Sequence, residues 1–473
     1  MLPSSPLRWA CLASASLLLA GCATLPSRSE LPTPATAQTH ASARSLTAAN
    51  GEWPSDGWWK QFGDPQLDAL IAEGLSSATD LRVAEARFAI ARAYAGQTES
   101  QLLPQLNAGA EGGAIQSSNN FLIPKGFAPR GWPDYGQVSL SLNWQLDFWG
   151  RNRAALAAAR SEAESARAEA AAARLAVSAG IAAAYADLAA FHASRDAAES
   201  AVNVRRQTYN LMVEREAQGL ENTGAVEQVR SALAMAEGEL AAADEAIALT
   251  CNGIAALVGA GPDRGLDLAR PALPTLGKTA LPSEIPATLL GRRPDVIAAR
   301  LRAEAAASRI RMARASFYPN INLMGVVGYQ ALGLDTVFKS KSDYGTVGPA
   351  ISLPIFNGGR LRNQYRAAEA EYTAAVGQYD GALVQALREV ADAADSQRAL
   401  SERLASARTA EQAAQTAWSI ASTRYRGGLA TYLDVLAAED ALIASRRALA
   451  TLQTRAFALD VALIRALGGG YEI

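Results

Sequence analysis

The side chains best suited to catalysis or metal binding are few and badly placed for either. Two histidines, His40 and His192, lie far apart in the sequence with no cysteine beside them. A zinc site needs about four ligands at short paired spacings, so no metal is expected. Cysteines stand at positions 11, 22 and 251, too few and too scattered for a disulfide framework. Cys251 falls in a helical stretch, where a small buried apolar side chain is its expected role. The run Gly259-Ala-Gly261-Pro-Asp-Arg-Gly265 lacks the spacing of a dinucleotide fingerprint and follows a helix rather than a strand. No Walker lysine motif occurs either, so no cofactor and no catalysis are expected. A formal net charge of -2 gives no reason to expect nucleic acid as a partner.

Cys22 is the exception. Arg8 precedes an apolar run from Ala10 to Ala20, which closes as Leu19-Ala20-Gly21-Cys22. This has the charged start, short apolar middle and small-residue end of a secretory signal, and it is too short to span a bilayer as a helix. The ending resembles a bacterial lipobox. That resemblance implies removal of residues 1–21 and attachment of fatty acyl chains, palmitate among them, to Cys22. Ala23, where some lipoproteins carry Asp, implies passage to the outer membrane. The alternative is an ordinary signal peptide with an incidental cysteine. Residues 22–62 then read as a lipid-anchored leash, rich in Ser, Thr, Pro and Ala at first. Trp53, Trp58 and Trp59 close it, either docking the leash on a folded body or lying at a membrane interface.

The elements that follow are long. Composition is 49% hydrophobic but 7% aromatic, with alanine prominent, which suits close-packed helices better than a thick core. From Arg360 to Arg426 there is no proline and only Gly377 and Gly381 interrupt; as one helix this spans roughly 100 Å. Arg151 to Gln218 predicts a second helix of that length, roughly 100 Å. Asn222–Val258 and Thr431–Leu467 predict return helices of about 55 Å, and Asp80–Leu103 and Asp295–Phe317 shorter ones of about 35 Å. Leu442, Leu449, Ala456 and Leu463 recur every seventh residue, interleaved with Leu452, Leu459 and Ala466: a coiled-coil seam. The pieces repeat at an offset of about 210 residues, so two copies are expected, 63–270 and 287–473, joined by a proline-rich linker at 271–286.

Each copy also carries strands. From Val138 to Phe148 every second residue is apolar, and the intervening ones are Ser139, Ser141, Asn143, Gln145 and Asp147. Weaker alternation covers Gln105–Gln116, Asn320–Tyr329 and Val347–Ile355, the last running on as Ile351–Phe356 toward its helix. Such lengths suit tilted transmembrane strands. Four strands cannot close a barrel and lipid forbids open edges, whereas three chains supply twelve. A homotrimer is therefore expected, with Ser117–Tyr135 and Gln330–Tyr344 as outward loops. A soluble four-stranded sheet is the competing arrangement.

The fold class so reached is mainly α with transmembrane β, three chains supplying twelve strands beside long antiparallel coiled-coil helices. Its motifs resemble those of the outer membrane efflux proteins, the TolC-like channels, in their NodT-type lipoprotein branch, and the resemblance implies a trimeric 12-stranded β-barrel continued by an antiparallel coiled-coil α-helical barrel. Those motifs are the lipobox, Trp144-Gln-Leu-Asp-Phe-Trp-Gly-Arg151, Leu290-Gly-Arg-Arg-Pro-Asp-Val296, Phe317-Tyr-Pro-Asn-Ile-Asn322, Leu353-Pro-Ile-Phe-Asn-Gly-Gly-Arg360 and Tyr425-Arg-Gly-Gly-Leu-Ala-Thr-Tyr-Leu-Asp-Val-Leu436. The resemblance implies a passive exit duct for small toxic compounds, set in outer membrane lipid. It also implies a periplasmic adaptor (membrane fusion) protein and an inner-membrane pump of the resistance-nodulation-division class as partners. A duct for type I protein secretion shares the fold, and a structural periplasmic coiled-coil lipoprotein is the rival outside it. Carried over by position, the resemblance implies that Tyr425 and Asp434 belong to the periplasmic gate and the turns Gly219-Leu220 and Gly428-Leu429 to the adaptor contact. Asp434 can alternatively be a first-turn acid complementing a helix dipole. Ala430 and Ala437 stand where some members have charged gate residues.

Overall fold

A computed structural model of the chain describes residues 30–36, 39–41, 44–46, 51–116, 118, 131–272, 282 and 291–471. The signal segment 1–21, Cys22, most of the linker 271–286 and part of the loop 117–135 lie outside these described residues. In chain order the elements are α1 (Pro65–Ser77), α2 (Thr79–Ser100), β1 (Gln105–Ala114), β2 (Asp134–Leu146), α3 (Arg151–Ala217), α4 (Thr223–Leu257) and α5 (Asp263–Leu266). The second half gives α6 (Pro294–Ala315), β3 (Asn320–Leu332), β4 (Asp343–Ser352), α7 (Arg360–Arg426) and α8 (Tyr432–Ala466). Helix lengths match in pairs: 22 residues for α2 and α6, 67 for α3 and α7, 35 for α4 and α8.

Helix ends fall where the local chemistry stops them. Asn222 caps α4 by accepting from the Ala225 amide, and Thr431 caps α8. Gln218, Leu103 and Phe317, expected inside helices, lie in the turns that follow, and Pro294 takes the first helical position of α6. The strand expected to run on through Ile355 and Phe356 stops at Ser352, before Pro354, which has no amide to donate. Phe148 likewise falls beyond β2. Pro349 is accommodated within β4, one of the two edge strands of the sheet within the chain.

The chain forms two compact units that cut across its two halves: Met1–Pro34, Phe88–Ala166 and Ala299–Tyr379 in one, Ala35–Arg87, Arg167–Ala298 and Asp380–Ile473 in the other. The first holds the four-stranded antiparallel sheet in the order β1-β2-β3-β4. Below the strands, Phe317, Leu361 and Tyr365 form a small buried cluster. The connections are fastened by side chains. Trp144 Nε1 donates to the Leu102 carbonyl at 3.0 Å, and the Asp147 carboxylate accepts from the Asn152 and Arg153 amides at the start of α3.

The second unit has the main core. Trp58, Trp59 and Phe62 enter it from a 3₁₀ turn, meeting Leu70 and Ile71 of α1, Ile181 and Tyr185 of α3, Ile254 of α4 and Phe457 of α8. Trp58 and Trp59 are therefore buried in the core of this unit. Helix α1 was not expected, although Asp64 caps it, Pro65 opens it and Leu67, Leu70 and Ile71 keep helical spacing. Gly259, in the glycine-rich run after α4, has φ +78°, and a Cβ there would lie 2.7 Å from the Ser77 carbonyl oxygen. Gly259 thus serves close packing against α1, and Gly265, where a Cβ would lie 2.9 Å from the Cys251 carbonyl, close packing against α4. Cys251 is half-buried against the same core, and burial pushes its thiol up. His192, on α3, is held below the usual imidazole range by burial and by Arg270.

The Arg-Arg-Pro-Asp motif also belongs to this unit and is structural. Buried Arg293 reaches Asp295 and Glu389, both at 2.6 Å, and the Ala466 carbonyl. Burial alone would push Asp295 up, but the guanidinium holds it below the usual carboxylate range; Glu389 behaves alike.

Candidate functional site

The sheet separates two chemistries by parity. Its register is unbroken, so directly paired residues share a face. One face carries Leu106, Ala108 and Ala110 of β1, Val138, Leu140, Leu142, Trp144 and Leu146 of β2, Ile321, Leu323, Val327 and Tyr329 of β3, and Val347, Pro349 and Ile351 of β4. The other carries Asn107, Glu111, Gln137, Ser139, Ser141, Asn143, Gln145, Asn322, Gln330, Tyr344, Thr346 and Ser352, relieved by Met324 and Val326.

The 3₁₀ turn Leu334–Thr336 and Val337 pack over the Gly112–Gly136 end of the apolar face, but among the described residues its middle lies open. Val327 is 60% exposed and Val347 76%. A soluble sheet buries this face and wets the other. Here the polar face makes the hydrogen bonds: Gln137 donates to the Tyr344 hydroxyl at 2.6 Å and Gln145 to Asn320 at 2.8 Å. An uncovered apolar stripe backed by a polar one is the pattern of a strand with lipid on one side and water on the other.

The residues predicted at the gate and the adaptor contact come together in the second unit. The turns after α3 and α7 are built alike. Gly219 and Gly428 adopt φ of +71° and +70°, and the Leu220 and Leu429 amides donate back to the Arg215 and Arg424 carbonyls. This is the Schellman closure, which requires the left-handed glycine. Leu220 and Leu429 are left pointing outward, 59% and 73% exposed.

Tyr425 is buried between the two hairpins. Its hydroxyl donates to Glu221 Oε1 at 2.8 Å, its ring packs against Tyr432, and the Arg215 guanidinium lies 4.7 Å above the ring. Burial and the Glu221 carboxylate push its phenol up to about 12. Met212, Val226, Val229 and Val435 complete the cluster. Asp434 is spent locally in a capping box: its Oδ2 accepts from the Thr431 amide and hydroxyl, each at 2.8 Å. That hydrogen bonding holds its carboxyl below the usual range. Tyr425 thus joins hairpin to hairpin, whereas Asp434 organises the start of its own helix.

A second link between the hairpins was missed from the sequence. Glu439 of α8 is fully buried, its Oε1 lies 3.0 Å from Arg205 of α3, and Thr208 donates to its other oxygen at 3.1 Å. Arg205 also meets Asp440. Burial outweighs the nearby guanidinium and pushes the Glu439 carboxyl up. Val435, Glu439 and Leu442 follow helical spacing, so a carboxylate standing on an apolar stripe was the available signal.

With this geometry in hand, the likenesses to known proteins take on meaning. The family model described as "Outer membrane efflux protein" matches residues 70–260 and 285–469. The fusaric acid resistance protein FusA of Burkholderia cepacia is 33% identical over 75% of this chain and 68% of its own. The multidrug resistance outer membrane protein MdtQ of Escherichia coli O6:H1 is 29% identical over 96% of both. The crystal structure of the outer membrane protein VceC from Vibrio cholerae superposes with a TM-score of 0.85 at 46% identity, covering 89% of this chain and all of that one.

Proposed function

The chain belongs to the outer membrane efflux protein family, and we propose that it forms the exit duct of a tripartite system expelling small toxic compounds. The carrying observation is the sheet's division into an apolar face left open over its middle and a hydrogen-bonded polar one. The first suits lipid, and the second suits a water-filled lumen. Within one chain β1 and β4 are open edges, which lipid does not tolerate. Three chains joined edge to edge give twelve strands and a closed barrel, so the working unit is a homotrimer. Equal helix lengths in the two halves support reading them as two copies of one design.

The long helices of each protomer, each roughly 100 Å, carry the passage through the periplasm. At their turns, Tyr425 and the Arg205–Glu439 contact hold the hairpins together in a closed state, and Asp434 keeps the start of α8 rigid beside them. The exposed Leu220 and Leu429 offer apolar contact to a periplasmic adaptor, which links the duct to an inner-membrane pump of the resistance-nodulation-division class. The pump supplies the energy and the duct none. Cys22, acylated after removal of residues 1–21, anchors the leash to the same membrane.

The experiment is deletion of the gene followed by measurement of drug and dye susceptibility and dye retention. Increased susceptibility, reversed by the full chain and by no variant lacking the strands, supports the proposal. Unaltered susceptibility to every compound the cognate pump handles would sink it.

A further inference from the structure

The loop between β3 and β4, residues 333–342, does not stand off the sheet. It lies down on the apolar face, at the end away from the long helices. A Cβ at Gly136 would fall 2.6 Å from Val337 Cγ2 and 3.0 Å from Leu334 Cδ2, so glycine there lets the loop approach. Val337 is buried by the contact, and Phe338 packs on Tyr329 of the same face with ring centroids 5.7 Å apart. The side turned away from the sheet is apolar as well: Phe338 is 73% exposed, and Leu334 is exposed beside it.

Two features fit this surface to lipid rather than water. The loop pairs much of its own backbone. The Leu334 amide donates to the Asp134 carboxylate at 2.9 Å and the Gly333 amide to the Asp134 carbonyl at 2.7 Å. The Thr336, Lys339 and Ser342 amides donate to the Gly333, Thr336 and Lys339 carbonyls, and the Ser342 hydroxyl to the Thr336 carbonyl. Lipid demands such closure, because it offers a backbone no partner. The second feature is height. The apolar run of β2 from Val138 to Leu146 measures roughly 26 Å along the strand. A tilt of about 45° lowers this to about 19 Å, against an apolar band of about 25 Å on membrane-spanning strands. Leu334, Val337 and Phe338 continue the apolar surface at the short end, where aromatic side chains meet the headgroups. The loop's charges are compatible with that level. Asp335 and Lys339 pair with each other at 2.7 Å, and Lys341 has a stem long enough to reach water.

We propose that residues 333–342 form an interfacial anchor, with Leu334 and Phe338 entering the upper acyl region of the bilayer and completing the apolar band that the strands leave short. The inference rests on the reading of the apolar sheet face as lipid-facing. The loop's contacts with Gly136 and Tyr329 are made by side chains on the sheet face, which leaves the ladder edges of β1 and β4 to neighbouring strands.

The test places a nitroxide at Phe338→Cys in the full chain, reconstituted in lipid on a Cys251→Ser background, with Leu140→Cys and Ser141→Cys as references. Power-saturation spectroscopy compares collisions with oxygen, which concentrates in lipid, and with a water-soluble nickel chelate. The label at position 338 is expected to favour oxygen several-fold more than the label at 141, as the label at 140 does. A label at 338 that favours nickel overturns the proposal. One shielded from both places the loop against protein, and overturns it too. The reference separates the two levels: a label at 140 in water defeats the lipid-facing reading, whereas one in lipid with 338 in water defeats only the anchor. Bilayer thickness gives a second readout. Leu334→Asn/Phe338→Asn keeps Val337 on the sheet and should insert like the wild type into thin dilauroyl phosphatidylcholine, but several-fold less into dioleoyl phosphatidylcholine. Wild-type insertion in both overturns the proposal. Should that variant misfold, the nitroxide measurement decides alone.

Discussion

Removing Arg205 should loosen the hairpins far more than removing both members of its pair. Glu439 is fully buried and Arg205 nearly so, and their charged atoms lie 3.0 Å apart. Truncation to Arg205→Ala leaves a carboxylate in an apolar setting with only Thr208 to support it. One-sided loss of a buried pair costs about 3–5 kcal/mol, whereas apolar replacement of both partners is often neutral. Arg205→Met/Glu439→Leu should therefore retain most of the contact. The helices are long and packed elsewhere, so the cost appears as local separation. Amides near Met212 and Tyr425 should exchange roughly 150- to 4,000-fold faster in Arg205→Ala, the same 3–5 kcal/mol at about 1.4 kcal/mol per tenfold. Ion conductance in planar bilayers should rise with them. The acid side adds a sign. Glu439 holds its proton more tightly folded than unfolded, so it disfavours the contact at neutral pH. Lowering the pH through the interval above the ordinary glutamate range should tighten the hairpins. Unchanged exchange and conductance in Arg205→Ala, or a double variant as loose as the single one, would refute this reasoning.

Other consequences are open to simpler measurement. Val327→Arg, on the apolar face, should cost about 2–4 kcal/mol near mid-bilayer, while Ser141→Arg on the polar face should insert almost normally; heat-modifiable gel migration distinguishes them. Asp434→Ala removes a capping box worth about 1 kcal/mol, so α8 should fray at its first turn and antibiotic leakage should rise. Tyr425→Phe loses one hydrogen bond, about 1 kcal/mol, and should raise conductance less than Arg205→Ala does. Asp295 and Glu389 have depressed folded-state values, so the stability they give Arg293 is present above the ordinary carboxylate range. It drains away as pH falls through those lowered values, and Asp295→Asn should flatten that acid limb of the unfolding curve.

Much of the fold was legible because its signals are periodic. Long runs without proline, a heptad stripe along α8 and strict alternation in β2 each follow from one repeat length, and the structure returns them with boundaries shifted by a few residues. Helix α1 escaped because it is short and precedes the motifs that recur; its Asp64-Pro65 start was nonetheless readable. The strand expected to run to Phe356 failed at Pro354, where local backbone chemistry overrides a pattern of side chains. The site divides in the same way. The glycine turns announced themselves, since a left-handed residue after a long helix has few alternatives. Partners across space did not: nothing near Tyr425 in the sequence names Glu221 or Arg215, and Glu439 pairs with a residue in the other half of the chain.

The central claim is that one sheet face lies in lipid and the other in water. Single cysteines at Leu140 and Ser141, neighbours in β2 on opposite faces, test it most directly when labelled in intact outer membranes with a membrane-impermeant maleimide. The account predicts fast labelling of Ser141→Cys and protection of Leu140→Cys until detergent is added. Equal labelling of both in the membrane, or protection of Ser141→Cys alone, would contradict it.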